Sequence, residues 1–412
     1  MRKWTGALVL GLVAANAVGA TPTVEEMWAI IQQQQAEIER LKQQVAAAGT
    51  RLQETTVKVE ATADLVEQQA EGTGTLAQAA SWAERTRFGA YAEMHLNKLE
   101  NDLDSGQDKD EIDFHRFVLY MGHEFTPRTR FFSELELEHS IAGEDNEGEF
   151  ELEQAYVEHD IAAEHRLKAG LFLVPVGILN ETHEPDTFYG VERNNVERNI
   201  IPTTWWEGGL GLAGELAPGL SYDAALTSGL ALDPDAGQWR IRDGRQKVSE
   251  ADASDPAYTA RLKYTGVAGL ELAATLQYQE DVYQGALEDN VAATLLEAHA
   301  IYARGPFALR ALYADWQLDD GIESFQRGAD EQEGWYLEPS WRFSPEWGVF
   351  ARYSEWDNQA GASLDTGYGQ WDLGVNYWLE QNVVFKLDYQ SQDAPKGKDQ
   401  LDGFNLGVGV SF

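Results

Sequence analysis

Histidine and carboxylate residues are the side chains of this sequence that are best suited to catalysis or metal binding. Its histidines include no HExxH pairing, and the chain has neither a GxSxG nucleophile elbow nor a glycine-rich phosphate loop before a helix. His183 and Glu184, with Asp186 close behind, could ligate a metal ion, but their polar surroundings predict a solvated loop histidine. The chain has no cysteine, which excludes disulfides and thiolate chemistry. We therefore expect no enzyme, no metal and no cofactor.

The charged residues stand mostly in segments whose polarity alternates from one residue to the next. In the last segment, 402–412, apolar side chains alternate with small or polar ones, and the chain ends on the aromatic Phe412. This pattern predicts β-strands with one apolar and one polar face. Sixteen such segments follow residue 85, near 86–99, 110–124, 129–141, 149–160, 165–173, 206–216, 219–229, 256–265, 269–279, 292–303, 307–317, 333–343, 347–356, 369–379, 383–391 and 402–412.

The connections between these segments alternate between tight turns and longer, mostly acidic loops. Thr126-Pro127-Arg128 and Gly305-Pro306 are typical of the tight turns. An even number of strands with this sorting of connections predicts an all-β fold, a 16-stranded antiparallel transmembrane β-barrel over residues 86–412. Tryptophan and tyrosine residues near the segment ends are expected to form aromatic girdles at the membrane interfaces. The predicted location is the Gram-negative outer membrane, with the lipid bilayer and lipopolysaccharide as partners.

The first 85 residues predict a different organisation. Residues 1–20 have Arg2 and Lys3 followed by a short apolar run and small residues, which is typical of a secretory signal peptide, with an uncleaved anchor as the alternative. Residues 21–71 carry a seven-residue apolar repeat that predicts a periplasmic α-helical coiled coil, with a trimer preferred. A single amphipathic helix packed on the barrel is the alternative. Residues 72–85 are expected to be a linker.

The longest connection, 174–205, follows the fifth strand and reads VPVGILNETHEPDTFYGVERNNVERNIIPTTW. A loop of this length in a compact domain is usually functional. Residues 168–177, 188–194 and 202–210 resemble the phosphate-selective porin O/P family. This resemblance implies a homotrimer of channels in which loop 174–205 folds into the lumen as the constriction. It also implies that basic residues of that loop and of the adjacent strand set selectivity, here Arg193 and Arg198 with Lys168 and Arg166.

Strand parity predicts further charged residues in the lumen. The predicted constriction or solute-binding set is Arg193, Arg198, Glu181, Glu184, Asp186, Lys168, Arg166, Arg261, Arg310, Arg342 and Arg352. Glutamates crowd the third and fourth strands, while basic residues dominate strands eight and eleven to thirteen. We therefore expect opposed charged walls, which select ions by sign and orient dipolar solutes.

Three functions remain open from the sequence. The first is a passive diffusion channel for small hydrophilic solutes or ions, with anions such as phosphate among them. A general or cation-preferring porin is the second, because loop 174–205 is net acidic. The third is a structural tether that uses the coiled coil. The net charge of −38 excludes nucleic acid as a partner.

Overall fold

The computed structural model describes residues 82–141, 148–319, 321–322 and 326–412, together with residues 28, 32, 35–36, 38–46, 49, 53, 55–56 and 58. The chain divides into two compact units, residues 1–81 and 82–412. All described residues between 28 and 58 are α-helical. The expected signal peptide and residues 72–81 of the expected linker lie outside the described residues, and the coiled coil stays a prediction. In the described part of the chain, no α-helix is both long and apolar enough to cross a bilayer.

The second unit is a closed barrel of sixteen antiparallel strands in which each strand pairs with its neighbours in sequence and β1 pairs with β16. The predicted fold class and strand number of the barrel are confirmed. The strands are β1 Thr86–Asn101, β2 Lys109–Thr126, β3 Thr129–Glu138, β4 Phe150–Ala162, β5 His165–Leu173, β6 Trp206–Ala217, β7 Leu220–Thr227, β8 Ala257–Tyr264, β9 Leu270–Gln279, β10 Ala293–Arg304, β11 Phe307–Leu318, β12 Glu331–Trp341, β13 Trp347–Asp357, β14 Tyr368–Glu380, β15 Val383–Asp393 and β16 Leu401–Ser411. Short helical turns occur at Ser105–Gln107, Val196–Asn199 and Ile241–Gly244.

Burial in this barrel is the reverse of that in a water-soluble sheet. On β8, Tyr258 and Leu262 are 56% and 54% exposed, whereas Thr259 and Arg261 are 3% and 4% exposed. The apolar face therefore points out of the barrel and the polar face points into it. A transmembrane barrel presents such an outward apolar band to lipid. Closure of the sheet also leaves no backbone polar group unpaired in the hydrocarbon.

Tight turns join the strands at one end of the barrel, which we call the short-turn end. Gly219 in the β6–β7 turn has a φ of 74°. A Cβ at this position would lie 2.5 Å from the Cα of Gly266 in the β8–β9 turn. Glycine is therefore required both by the backbone conformation and by the close approach of the neighbouring turn.

An apolar core fills part of the lumen at the other end, which carries the long loops. Loop 174–205 supplies Val176, Ile200 and Trp205, and all three side chains are fully buried. They belong to the same core as Leu230 from the β7–β8 connection and as Trp316 on the inner face of β11. Burying this apolar surface stabilises the loops inside the barrel rather than above it.

Candidate functional site

Loop 174–205 is a closed unit whose two ends are joined. The backbone N–H of Val174 donates to the carbonyl of Trp205 at 3.0 Å. The Asn180 side chain donates to the carbonyls of Val174 and Trp205, at 2.8 and 2.9 Å. It also accepts from the N–H of Trp205 at 2.7 Å. Hydrogen bonds that join the two ends of a long loop offset the entropic cost of closing it, and the loop can then hold a fixed shape.

A buried carboxylate organises the interior of the loop. Glu197 accepts hydrogen bonds from the N–H groups of Ile178 and Leu179, both at 2.7 Å, and from the Tyr336 hydroxyl at 3.0 Å. Its side chain is fully buried. Glu197 is one of the acidic residues of this loop, but its role is structural because it accepts hydrogen bonds from buried backbone donors.

The loop spans the lumen and is bonded to distant parts of the wall. Arg116 on β2 donates to the carbonyl of His183 at 2.6 Å. On the far side, the N–H of Val191 donates to Asp388 on β15 at 2.7 Å. The hydroxyl of Ser411 on β16 donates to Asp186 at 3.0 Å. With anchors on several strands, the loop is a fixed partition across the barrel.

Three cavities lie along the lumen around this partition. The long-loop cavity has a volume of about 980 Å³ and is lined by residues of the long loops, including 236–240, 242–243 and 357–359. The central cavity has about 220 Å³ and shares Glu192, Arg193 and Arg198 with it. The short-turn cavity has about 700 Å³. Among the described residues, none lines both the central and the short-turn cavity.

Six carboxylates, six arginine or lysine residues and two histidines, His95 and His115, line the central cavity. The carboxylates come mainly from β1, β3 and β4, while most cationic groups come from loop 174–205 and the β7–β8 connection. The acidic lining residues are Glu93, Glu136, Glu138, Glu151, Glu153 and Glu192, and the basic ones are Arg116, Arg193, Arg198, Arg242, Arg245 and Lys247. The cavity thus has an acidic wall and facing basic loops, an arrangement that orients dipolar solutes.

The basic groups of the two loops are crowded. Burial, together with the neighbouring Arg245 and Arg198 guanidinium groups, lowers the pKa of Arg242 to about 10. The Nε atom of Arg242 is buried without a hydrogen-bond partner. Arg242 therefore stays charged at neutral pH in a place where an anion would be favoured.

Of the predicted site residues, Arg193 and Arg198 line the central cavity. Arg193 donates to the Thr204 hydroxyl at 3.0 Å. Burial lowers the pKa of Arg193, and the adjacent Arg116 adds to this effect. The sequence pointed to this pair by position in the loop, and the structure brings both side chains to the cavity.

Four other predicted residues lie together in the short-turn cavity, namely Arg166, Lys168, Glu181 and Arg261. Arg261 pairs with Glu181 and, at 2.8 Å, with Asp223. The Nζ atom of Lys168 lies 4.4 Å from the ring centre of Tyr156. These residues form a second charged region, separate from the central cavity.

The remaining predicted residues have other positions. Arg310 donates to the carbonyl of Thr187 at 2.8 Å, and buried Arg352 pairs with Asp372 at 3.0 Å. Arg342 donates to the carbonyl of Pro345 in a tight turn. None of these three is among the described residues that line the central cavity. Arg261 on β8, Arg310 on β11 and Arg352 on β13 thus face the lumen, but they do so outside the central cavity.

The expectation of a solvated His183 is also wrong, since its side chain is only 3% exposed. Asp186 is held by Ser411 and Glu184 is half-buried, and neither is grouped with His183 as a possible metal ligand. His183 instead faces Glu134 and Glu153 on the wall, at 3.6 and 3.7 Å. Burial by itself would lower the pKa of His183, but the two carboxylates raise it to about 9.

Sequence reasoning missed Arg116, Arg242, Arg245 and Lys247. Arg116 is 1% exposed and its Nε atom lies 2.5 Å from Glu93. A neighbouring-strand pair of opposite charge on one face could have indicated it. The other three lie in a connection without periodicity, where the only available signal was a local concentration of basic residues.

Comparison with known proteins gives consistent matches. Residues 189–397 match the Gram-negative porin family. An uncharacterized protein of Aquifex aeolicus (strain VF5) is 29% identical over 350 residues, which cover 76% of this chain and 77% of that protein. Among solved structures, an anion-selective porin from Comamonas acidovorans has a TM-score of 0.57 at 12% identity, covering 79% of this chain and 99% of the other. The trimer form of OmpT, an outer membrane protein of Vibrio cholerae, has a TM-score of 0.53 at 10% identity with coverage of 79% and 99%.

Proposed function

The chain belongs to the Gram-negative porin family, and from this premise we propose that it is a passive diffusion channel for small hydrophilic solutes, with loop 174–205 as its constriction. The family and the closed barrel support a channel rather than an enzyme, and they support a location in the outer membrane. The solute moves down its own concentration gradient, so the protein has to supply only a water-filled path of suitable width and charge.

One observation carries the choice of solute class: six carboxylates face six cationic groups around the central cavity. These opposite charges partly offset one another in net ion selectivity, whereas their separation onto a wall and two loops gives a transverse field. A zwitterion can align its own charges with such a field, but a neutral sugar cannot. We therefore propose a preference for small dipolar solutes over neutral ones of equal size.

Swelling of liposomes that contain the purified protein tests this preference. Glycine and glycolamide have the same composition and nearly the same size, but glycine is zwitterionic at neutral pH. We expect faster swelling in glycine, with the difference decreasing as salt screens the field. Equal swelling rates at low salt would contradict the transverse field.

A specific observation supports anion selectivity as a second candidate. Arg198, Arg242 and Arg245 all line the central cavity, and Arg198 and Arg242 also line the long-loop cavity. Arg242 Nε has no hydrogen-bond partner. Guanidinium groups bind phosphate oxygens in a planar, two-bond geometry. Phosphate is therefore the anion to test against chloride, and likeness to a porin titled as anion-selective adds support.

We also propose that the chain forms a homotrimer and that residues 21–71 form a trimeric coiled coil in the periplasm. The seven-residue repeat and the helical state of the described residues between 28 and 58 support the second part. The trimer form of a structurally similar barrel supports the first. The mass of the detergent-solubilised protein, with and without residues 21–71, tests both parts. A monomeric mass for the whole chain would contradict the proposal. Binding of lipopolysaccharide can be assayed on the same samples.

A further inference from the structure

Three buried side chains with metal-binding atoms meet where loop 174–205 reaches the wall. Glu134 comes from β3, Glu153 from β4 and His183 from the loop, and their side chains are 4%, 1% and 3% exposed. The Nε2 atom of His183 lies 3.6 Å from Glu134 Oε1 and 3.7 Å from Glu153 Oε2. One ligand atom from each residue lies within 4.8 Å of the other two. Glu153 also lines the central cavity.

Two of these atoms are buried without a hydrogen-bond partner, His183 Nε2 and Glu153 Oε2. Buried polar atoms are seldom left in this state, because each one loses its bonds to water and gains nothing in return. Both atoms point into the space between the three side chains. This is an independent sign that the space suits a ligand, in addition to the clustering of acidic groups.

The other ring nitrogen of His183 is already engaged. Its Nδ1 lies 3.1 Å from the carbonyl oxygen of Asn180, which can only accept, so Nδ1 carries the proton. A metal ion would therefore replace the proton on Nε2, the ring nitrogen that faces the two carboxylates. A histidine held by a backbone carbonyl through its second nitrogen is the usual arrangement of a metal ligand.

The separations also suit a small divalent ion. With zinc-to-nitrogen and zinc-to-oxygen bonds of about 2.0–2.2 Å, ligand atoms of a tetrahedral or trigonal site lie roughly 3.3–3.7 Å apart. The measured 3.6 and 3.7 Å agree with this range and exceed the usual hydrogen-bond length. Direct hydrogen bonds therefore explain the distances less well than a shared ion does.

The backbone and the neighbouring charges favour the same arrangement. The pairing of β3 with β4 shifts between Glu134 and Leu135, so that Glu153 is the extra residue of a β-bulge. A bulge of this kind re-aims a side chain, here into the group. Glu134 is held in place by Gln154 at 2.6 Å and by the Tyr91 hydroxyl at 3.3 Å. The nearby cation Arg116 bonds to Glu93 rather than to Glu134 or Glu153.

We propose that Glu134, Glu153 and His183 form a binding site for a divalent transition-metal ion of the zinc type, with a fourth position open to water. The ligand set of one imidazole and two carboxylates suits this class of ion. The ion joins the constriction loop to the acidic wall, and it therefore stabilises the loop in its position across the lumen.

Cobalt and zinc binding to the purified, detergent-folded full-length protein tests the proposal. After treatment with a chelator, Co²⁺ is added and the visible absorption of four-coordinate cobalt is recorded, followed by displacement with Zn²⁺. We expect one ion per chain and affinities more than about tenfold weaker in His183→Gln and in Glu153→Gln. His139→Gln is the matched control, because it alters a second histidine and carboxylate group, Asp113, His115 and His139, outside the proposed site.

Each outcome decides the matter. Binding to the wild type that is lost in His183→Gln and Glu153→Gln but kept in His139→Gln supports the site. If His183 is only an imidazolium paired with the glutamates, the wild type binds no cobalt, which overturns the proposal without any variant. Binding that is lost only in His139→Gln also overturns it. Channel activity is not needed for any of these measurements, so failure here is distinct from failure of the proposed function.

Discussion

Replacing both Arg242 and Arg245 with glutamine is expected to shift the ion preference of the channel toward cations. Both residues line the central cavity, and neither forms an ion pair with a carboxylate among the described contacts. Because the pKa of Arg242 is about 10, this guanidinium is charged at neutral pH and its replacement removes a full charge. The double replacement therefore removes two positive charges from the lining of the cavity.

The size of the shift follows from the size of the cavity. A sphere of about 220 Å³ has a radius of about 4 Å, which puts the charges that line it about 6 Å from the centre. At that distance a unit charge contributes about 0.7 kcal/mol in water, and screening in 0.1 M salt reduces this to about 0.4 kcal/mol. Removing two positive charges therefore raises the permeability to a monovalent cation about fourfold and lowers the permeability to a monovalent anion about fourfold. The permeability ratio of cation to anion should therefore rise by about tenfold or more.

The reversal potential across a planar bilayer under a potassium chloride gradient measures this ratio. Arg342→Gln is the matched control, because Arg342 is bonded to a carbonyl in a tight turn and does not line the central cavity. The shift should shrink in about 1 M salt, where the screening length falls to about 3 Å. An unchanged reversal potential in the double variant, or an equal change in the control, would refute the role of these arginines.

Three further predictions address the loop, the membrane face and the anion site. Glu197→Ala should destabilise the protein by about 2–4 kcal/mol, because the N–H groups of Ile178 and Leu179 lose a buried acceptor. Urea unfolding measures the loss of stability, and limited proteolysis shows whether the loop is released. Leu406→Arg on the outer face of β16 should cost about 2–4 kcal/mol of folding in lipid vesicles, whereas Leu406→Val should cost much less; equal costs would contradict a lipid-facing position. Millimolar phosphate should reduce the chloride current, and it should do so less in Arg198→Gln; an equal reduction would exclude the guanidinium group as the anion site.

The strands could be predicted from the sequence because alternation of polarity is local information. The last segment was expected at 402–412 and the strand is Leu401–Ser411, so even the boundary is close. Closure into a barrel followed from the strand number and the turns. Strand parity reverses where local pairing is irregular: β4 has a bulge at Glu153, and after it Tyr156 and Glu158 reach a cavity in the lumen while Val157 is exposed.

The candidate site was less predictable because it depends on loops that pack within the barrel. Loop 174–205 could be identified by its length, and Arg193 and Arg198 by their position in it. The burial of His183 and Glu197 could not, since a polar loop sequence gives no sign of the wall that will cover it. Arg242 reaches the same cavity from a connection that lies about 40 residues further along the chain, and only the folded structure brings the two loops together.

Single-channel recording in a planar bilayer tests the central claim most directly. We expect the purified protein to produce stepwise current increments at constant voltage. Each step is the insertion of one channel assembly, in which loop 174–205 forms the constriction. A membrane that shows no stepwise conductance, although folded protein is demonstrably inserted, would contradict the claim that this chain is a diffusion channel.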